Sequence, residues 1–533
     1  MVVPELGPWQ AAKPQVARIL NAVRPRLAGA VTAARPRIAR LAKAVRVGPV
    51  HLPRSRTVRT WQYTAGAATA GLALAVGVVT VAGPWDANGQ RTAERDRAAA
   101  SERSGGADHG GAGTAAGAPL PAPSAGPVLA GVGGATATVG TKKAAPGGKA
   151  LSDVLRPLLD NPALAGGHAA AVVDVTTGER LYGSAAGKAF TPASTTKIAT
   201  AVAALSALGP DHRLTTRTAL EPDTRELVLV GGGDPTLTAH TRPGGWASLR
   251  ALATDTARAL GERGIREITL SYDTTLYTGA ALHPVGVNEN LAPVSALAVD
   301  EGRTDDSTSG PVTRVSDPAA QAAATFARLL KDAGITTTPP GPSRASTRAE
   351  TLATVTSPPL SALVERMLTN SDNDIAEALA RHTALAGGGS ASFEGGARAI
   401  ATQLRKLGMP LSGASFHDGS GLDRDDRLTA DLLTALLAKA ADPARPGLRP
   451  VLTGLPVAGF TGTLSSRYTD GAAGVVRAKT GTLTGVNTLA GTVVDTDGHL
   501  LAFAFLASNT TDAPQAQSAL DRTATALAGC GCR

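Results

Sequence analysis

Between Thr64 and Gly83 the chain reads "TAGAATAGLALAVGVVTVAG", twenty residues without a charge. A run of that length is enough to cross a bilayer as a helix, so it divides the chain into two compartments before any fold is considered. Arg54, Arg56 and Arg59 stand just before it and no comparable basic cluster follows. Positive charge stays on the cytoplasmic side, which puts the N-terminus inside and everything after Pro84 outside. A cleaved signal peptide has a short basic region and a shorter apolar core, whereas 60 residues precede this run. The segment 61–85 is therefore read as an uncleaved anchor.

The charge follows the same division. Residues 1–60 hold 12 of the 52 Lys+Arg and one of the 43 acids, Glu5, so residues 61–533 hold 40 bases and 42 acids, a net of −2. The body carries no broad nucleic-acid footprint. Within the basic tail, "PQVARILNAVR" (14–24), "PRLAGAVTAAR" (25–35) and "PRIARLAKAVR" (36–46) repeat an 11-mer that opens with Pro and closes with Arg. Its apolar positions recur at helical spacing, and eleven residues are about three helical turns, so successive copies keep one apolar face. Basic residues beside such a face suit the anionic inner leaflet. A basic tail without fixed structure is the alternative.

Residues 86–150 contain no Phe, Trp or Tyr and are rich in Gly, Ala, Ser and Pro. This composition reads as a flexible, disordered linker, spanning about 45 Å as a random coil. From Leu151 the texture is that of a folded body. A hairpin is expected over 168–183, a helix from the "PASTTK" segment onward, a strand into a Gly-rich turn over 225–237, a helix over 246–264 and a strand over 265–272. Further helices are expected after Asp317-Pro318, over 357–370 and over 428–441, and strands over 474–481 and 488–508. Hairpins mixed with helices make the class α+β. Cys530 and Cys532 close the chain in "CGCR", too small a ligand set for structural zinc. They are read as an incidental tail end or as a redox-active or intermolecular thiol pair.

Chemistry enters with Ser194 and Lys197. Residues three apart share a helix face, so Lys197 Nζ can reach Ser194 Oγ. A serine hydroxyl attacks only when a base takes its proton, and a lysine is such a base when burial lowers its pKa. The apolar run Ile198–Leu205 provides that burial. SxxK alone recurs by chance. It does not stand alone here: "SDN" (Ser371–Asn373) sits at a helix end, and "KTGT" (Lys479–Thr482) sits on a strand. A hydroxyl and an amide can relay a proton and hold a substrate amide. A lysine, a glycine and two hydroxyls on a strand edge suit a carboxylate-bearing peptide added as a further strand. SxxK with SDN and KTG is the signature of class A β-lactamases and penicillin-binding proteins.

With "TPASTTKIAT", "LVGGGDPTL", "LTNSDNDIAEALAR", "HDGSGLDR", "FTGTLSSRY" and "VRAKTGTLTGVNTLAG", the chain over 151–528 resembles the class C penicillin-binding proteins, the serine D-alanyl-D-alanine carboxypeptidase/endopeptidases. The resemblance implies a penicillin-binding-protein/β-lactamase-like transpeptidase domain split into 151–215 and 356–528. Inserted smaller domains would fill 216–355, which accounts for the 177 residues between Ser194 and Ser371. It implies Ser194 as the acylated nucleophile, Lys197 as its base and Ser371 as the relay to the leaving D-Ala. Asn373 would hold Lys197 and the substrate amide. Lys479 would supply positive potential, Thr480 and Thr482 would bind the substrate carboxylate, and Gly481 completes the motif. The N–H groups of Ser194 and Thr482 would form an oxyanion hole.

Asp372 would turn outward or orient its loop, and Asp418, Ser420 and Gly421 would shape the cleft wall. Asp423 and Thr461 depart from the family's usual Ser and Asp. The expected substrates are peptidoglycan stem peptides ending in D-Ala-D-Ala, with β-lactams as acylating inhibitors. No cofactor is expected. Nor is a metal, since the histidines lack HExxH-type spacing; His168, His382 and His417 are read as structural. A β-lactamase shares the trio but needs fast deacylation, and no acid offers itself as its base. A non-catalytic wall-binding protein need not keep all of Ser194, Lys197, Ser371, Asn373 and Lys479.

The tail yields a direct test. A synthetic 14–46 peptide is expected to gain helical circular dichroism on anionic vesicles; a spectrum that stays random-coil leaves the unstructured-tail reading standing.

Overall fold

The structure, a computed structural model, describes residues 148–468 and 471–531. The expected cytoplasmic tail, membrane anchor and linker up to residue 147 lie outside these. Among the described residues no helix is long and apolar enough to cross a membrane.

In chain order the body opens with α1 (Gly148–Leu159), β1 (His168–Asp174) and β2 (Arg180–Ser184). The β1–β2 turn is tied by Asp174 Oδ1, which accepts from Thr176 N–H at 2.7 Å. A 3₁₀ turn at Ala193–Thr195 runs into α2 (Thr196–Leu208). Next come β3 (Thr215–Leu220), β4 (Glu226–Val230), α3 (Leu249–Glu262) and β5 (Glu267–Asp273). They are followed by α4 (Pro318–Asp332), β6 (Thr336–Thr337), β7 (Gly341–Pro342) and β8 (Glu350–Thr356). Then follow α5 (Leu360–Asn370), α6 (Asn373–Ala386), α7 (Phe393–Lys406) and α8 (Ala430–Ala441). The chain ends in β9 (Arg477–Leu483), β10 (Val486–Val494), β11 (Leu500–Ser508) and α9 (Ala513–Ala528).

The first sheet is antiparallel in the order β2-β1-β11-β10-β9. Its middle strands are apolar along nearly their whole length because both faces are covered, and the period of two sorts their side chains. Leu501, Phe503, Phe505 and Ala507 of β11 pack with α1 and α9. Ala502, Ala504 and Leu506 face the other way, into a core shared with α2, α5, α6 and α8. The small alanines there let α8 lie close against the sheet, with α2 packed on the helices beyond it. The last strand, β9, is an edge.

The second sheet, β6-β5-β4-β3-β8 with β7 also on β5, is mixed. β4 and β5 are parallel, as a strand–helix–strand crossover through α3 requires. Thr215 at the start of β3 pairs with Thr356 at the end of β8. Beside them Leu214 and Ser357 exchange hydrogen bonds: Ser357 N–H to the Leu214 carbonyl at 2.8 Å, and Leu214 N–H to Ser357 Oγ at 2.9 Å. The chain therefore leaves and returns at one point, which carries Ser371 back to Ser194 across 177 residues.

One detail differs from expectation: Ser194 lies in the 3₁₀ turn ahead of α2 and not inside the helix. Cys530 is buried against the α9 side of the sheet and is disulfide-bonded.

Candidate active site

Lys197 is wholly buried near the start of α2, whose residues are buried on all sides from Thr196 to Leu205. Its Nζ lies 3.0 Å from Ser194 Oγ and donates to Asn373 Oδ1 at 2.6 Å and to the Ser420 carbonyl at 2.7 Å. Neither of those acceptors can offer a hydrogen there, because Asn373 Nδ2 is committed to the Asn290 carbonyl at 2.8 Å. A neutral amine would spend both N–H bonds on these two oxygens and turn its lone pair toward Ser194 Oγ. Burial pushes Lys197 down to about 8, against the opposing pull of Asp418, Glu377, Asp372 and Asp426.

The SDN segment is a hinge between two helices. Helix α5 ends on Ser371, which takes the left-handed conformation at φ 59°. Asp372 then caps α6, accepting the Ile375 N–H at 3.0 Å, and it is 8% exposed. It orients the turn and does not point outward. Ser371 Oγ accepts from Lys479 Nζ at 2.9 Å, and Lys479 also donates to the Thr480 carbonyl at 2.7 Å. Burial first, then the Lys197 charge and Arg467, hold the Lys479 ammonium well below its ordinary range.

β9 forms the facing wall. Thr480 Oγ1 donates to Thr463 Oγ1 at 2.9 Å, and Thr482 Oγ1 accepts from Gln517 Nε2 at 3.4 Å. Gly481 is required by contact: a Cβ there would sit 2.1 Å from Thr488 Oγ1 and 2.7 Å from the Pro192 carbonyl. The strand is thus pressed against the turn that carries Ser194. Ser194, Ser371, Asn373, Thr480 and Thr482 line one cleft of about 340 Å³, with Lys197 and Lys479 buried behind them.

The "DGSG" loop does more than shape a wall. Asp418 is fully buried and accepts from the N–H groups of Ser420, Gly421 and Asp423 at 3.0, 2.6 and 2.8 Å, with His283 Nε2 at 3.0 Å. Burial raises its pKa, but the bonds from His283, Gly421 and Asp423 prevail and hold it at about 2. The loop they fix presents the Ser420 carbonyl to Lys197. At the two departures, Asp423 joins this loop through its own N–H. Thr461 Oγ1 accepts the Val457 N–H at 2.8 Å and precedes the 3₁₀ turn holding Thr463.

The D-Ala-D-Ala carboxypeptidase 3 (S13) family model matches residues 151–311 and 305–527. The chain belongs to this family. It is 38% identical over 398 residues to carboxypeptidase DacB of Mycolicibacterium smegmatis, covering 72% of this chain and 85% of that protein. It is 31% identical over 438 residues to a D-alanyl-D-alanine carboxypeptidase of an Actinomadura species, covering 66% and 79%. The crystal structure of penicillin binding protein 4 from Haemophilus influenzae superposes with a TM-score of 0.57 at 22% identity, covering 69% of this chain and 97% of that one. The fold is thus the α+β penicillin-binding-protein fold, with an antiparallel sheet and helices.

Several residues around the family motifs escaped the sequence. Glu377 Oε1 accepts the N–H groups of Gly419 and Ser420 at 3.0 and 2.9 Å. Glu377 and Arg381 follow Asn373 at i+4 and i+8, a stripe visible only once α6 is known to be a helix. Arg303 and Arg314, from the segment between β5 and α4, also line the cleft; no motif marks them.

Among the described residues two triads have the spacing to gather around a cation, His283–Glu377–Asp418 and Glu301–Asp372–Asp374. Arginines already supply positive charge at both. Arg381 pairs with Glu377 at 3.2 Å, and Arg314 with Asp374 at 3.0 Å; Arg303 and Arg366 pair with Glu301 at 2.9 and 3.1 Å. His168, His382 and His417 do not line the cleft. Burial, then His212 beside it, push His382 down to about 4.

Gly421 offers a probe of this geometry. It has φ +82°, and a Cβ there would stand 1.9 Å from the Ala193 carbonyl. Gly421→Ala is expected to leave a folded protein by circular dichroism and to lower cleavage of a D-Ala-D-Ala peptide by roughly a hundredfold, the scale of a 1 Å misplacement. Near-normal turnover would show that the Ala193 turn can yield.

Proposed function

We propose that this chain is a serine-type D-Ala-D-Ala carboxypeptidase that works through an acyl-enzyme on Ser194 and acts on peptidoglycan stem peptides. The observation that carries the reading is the coordination of Lys197: two acceptors occupy its N–H bonds and the remaining direction faces Ser194 Oγ at 3.0 Å. In the first step the Ser194 hydroxyl proton passes to Lys197 Nζ while Oγ attacks the carbonyl of the penultimate D-Ala. The N–H groups of Ser194 and Thr482 would receive the oxyanion. Collapse expels the terminal D-Ala, whose nitrogen takes its proton by way of Ser371 beside Lys479. Water then attacks the ester and frees Ser194.

The stem peptide would lie along the free edge of β9 as an added strand, its carboxylate drawn to Lys479, Thr480 and Thr482. A peptide cross-bridge presents the same bond, so the reading extends to DD-endopeptidase activity, and penicillin would acylate the same oxygen. The segment 216–355 is read as the insert. The uncharged run over 61–85 would anchor the protein by a single helix with its N-terminus cytoplasmic and its catalytic body outside the cell membrane.

Mass spectrometry of the protein after exposure to benzylpenicillin is expected to find one adduct on Ser194 and none on Ser194→Ala. Release of D-Ala from a pentapeptide should vanish in the same variant. An adduct elsewhere, or activity surviving in Ser194→Ala, would refute the assignment. Rapid turnover of a chromogenic β-lactam would instead favour a β-lactamase.

The pH profile follows from Lys197. Below about 8 it holds its proton and cannot accept another. The acylation rate constant is expected to rise with pH through about 8 and then level off. A profile already flat from pH 6 would mean that Lys197 is not the group that takes the proton.

A further inference from the structure

Behind Lys197 lies a buried charged chain that the catalytic steps do not call on. It starts at Glu377, one turn along α6 from Asn373 and 0% exposed. Its Oε1 accepts both the Gly419 and the Ser420 N–H, and the Ser420 carbonyl is the oxygen to which Lys197 donates. Thr200 of α2 holds the neighbouring Gly419 carbonyl at 2.6 Å, so the peptide is gripped from both sides. Arg381, 1% exposed, pairs with Glu377 Oε2 at 3.2 Å. The guanidinium is packed against the Phe393 ring at 4.1 Å and the Tyr277 ring at 5.5 Å. A carboxylate is an expensive way to tie down two backbone N–H groups in a dry interior, where a glutamine oxygen would serve as well. The charge itself therefore calls for an explanation.

We infer that Glu377 is a positioning residue of the acylation step: it fixes the Ser420 carbonyl against Lys197, and its negative charge stabilises the ammonium that forms when Lys197 takes the serine proton. The inference rests on the reading of Lys197 as that base. The charged groups facing Lys197 are Glu377 of α6, Asp418 and Asp426 of the 418–426 segment, Asp372 of the turn and Lys479 of β9. His283 stands behind Asp418, and Arg381 behind Glu377. Burial alone would leave a weakly basic amine. The acids oppose it and keep Lys197 a base strong enough to draw a proton from a hydroxyl. Asp418 exerts the larger pull on Lys197 and holds the Gly421 N–H at 2.6 Å. Glu377 adds a second charge and, with Thr200, grips the Gly419–Ser420 peptide just before the carbonyl that touches Lys197.

The test is the pH dependence of Ser194 acylation by a fluorescent penicillin in the full-length protein and in Glu377→Gln. Glutamine keeps an oxygen for the two N–H groups and removes the charge. The acid limb is expected to move to lower pH by on the order of one unit, because a lost opposite charge favours the neutral amine. The plateau at high pH should fall severalfold, because the amine is then a weaker base. A role in packing alone would lower the plateau and leave the limb in place, and that outcome overturns the inference. Should the glutamine amide set against Arg381 prevent folding, Glu377→Gln/Arg381→Gln offers an amide pair in its place. A smaller shift in the same direction is then expected, because loss of the Arg381 charge partly offsets that of Glu377, and the same unmoved limb overturns the inference. Wild-type protein that forms no adduct on Ser194 would overturn the proposed function as well, whereas a normal wild-type adduct with an unmoved limb would overturn this step alone.

Discussion

A lysine held out of water by three oxygens from three distant segments is the interaction on which the rest of the structure turns. Burying an ammonium without partners is prohibitive, and Lys197 has partners only when the whole fold is assembled. Ser194 comes from the turn before α2, Asn373 from the first residue of α6, and the Ser420 carbonyl from a loop after α7. Their meeting depends on Leu214 and Ser357 closing the 215–356 excursion, which returns the chain to α2 in register. The same dependence explains the long apolar α2. It provides little amphipathic guidance for folding, but it seals one side of the lysine and packs among α5, α6, α7 and α8.

The cleft is tightened by backbone that other residues would not tolerate. Ala193 and Ser371 both adopt positive φ, at 48° and 59°, on opposite sides of it. Non-glycine residues pay for that conformation and keep it only where surrounding structure over-determines it. Here the surroundings do so. Gly421 and Gly481 allow the DGSG loop and β9 to close on the Ala193 turn from two directions, and Thr488 Oγ1 donates to the Pro192 carbonyl at 2.8 Å. The glycines of both motifs thus serve the position of Ser194 and not loop flexibility.

What could be read beforehand follows from how local each feature is. The β1–β2 hairpin, α3, α8 and the β10–β11 pair declare themselves by period and turn residues within a dozen positions. α6 does not, because Asp374, Glu377, Arg381 and His382 are buried and erase the polar face that marks a surface helix. α7 is obscured by Gly395 and Gly396, poor helix formers that are present because Ala380 of α6 and the Ser390 carbonyl leave no room for a Cβ. At the site, Ser194, Lys197, Ser371, Asn373 and Lys479 were legible because their spacing is short inside each motif. Glu377 and Arg303 were not. The first needs the α6 stripe, and the second reaches the cleft only through tertiary folding.

The second buried lysine completes the electrostatic logic. Lys479 shares the enclosure with Lys197, and the Lys197 charge is one reason its own ammonium is disfavoured. Coulomb repulsion is mutual, so a proton on either lysine weakens the other's hold. Their surroundings differ in kind. The acids Asp418, Glu377, Asp372 and Asp426 oppose the loss of charge at Lys197, while burial, Lys197 and Arg467 all act against charge at Lys479. An anion arriving beside Thr480 and Thr482 would supply what Lys479 lacks. On the proposed reading, the substrate carboxylate would be that anion, since an opposite charge nearby favours the ammonium form.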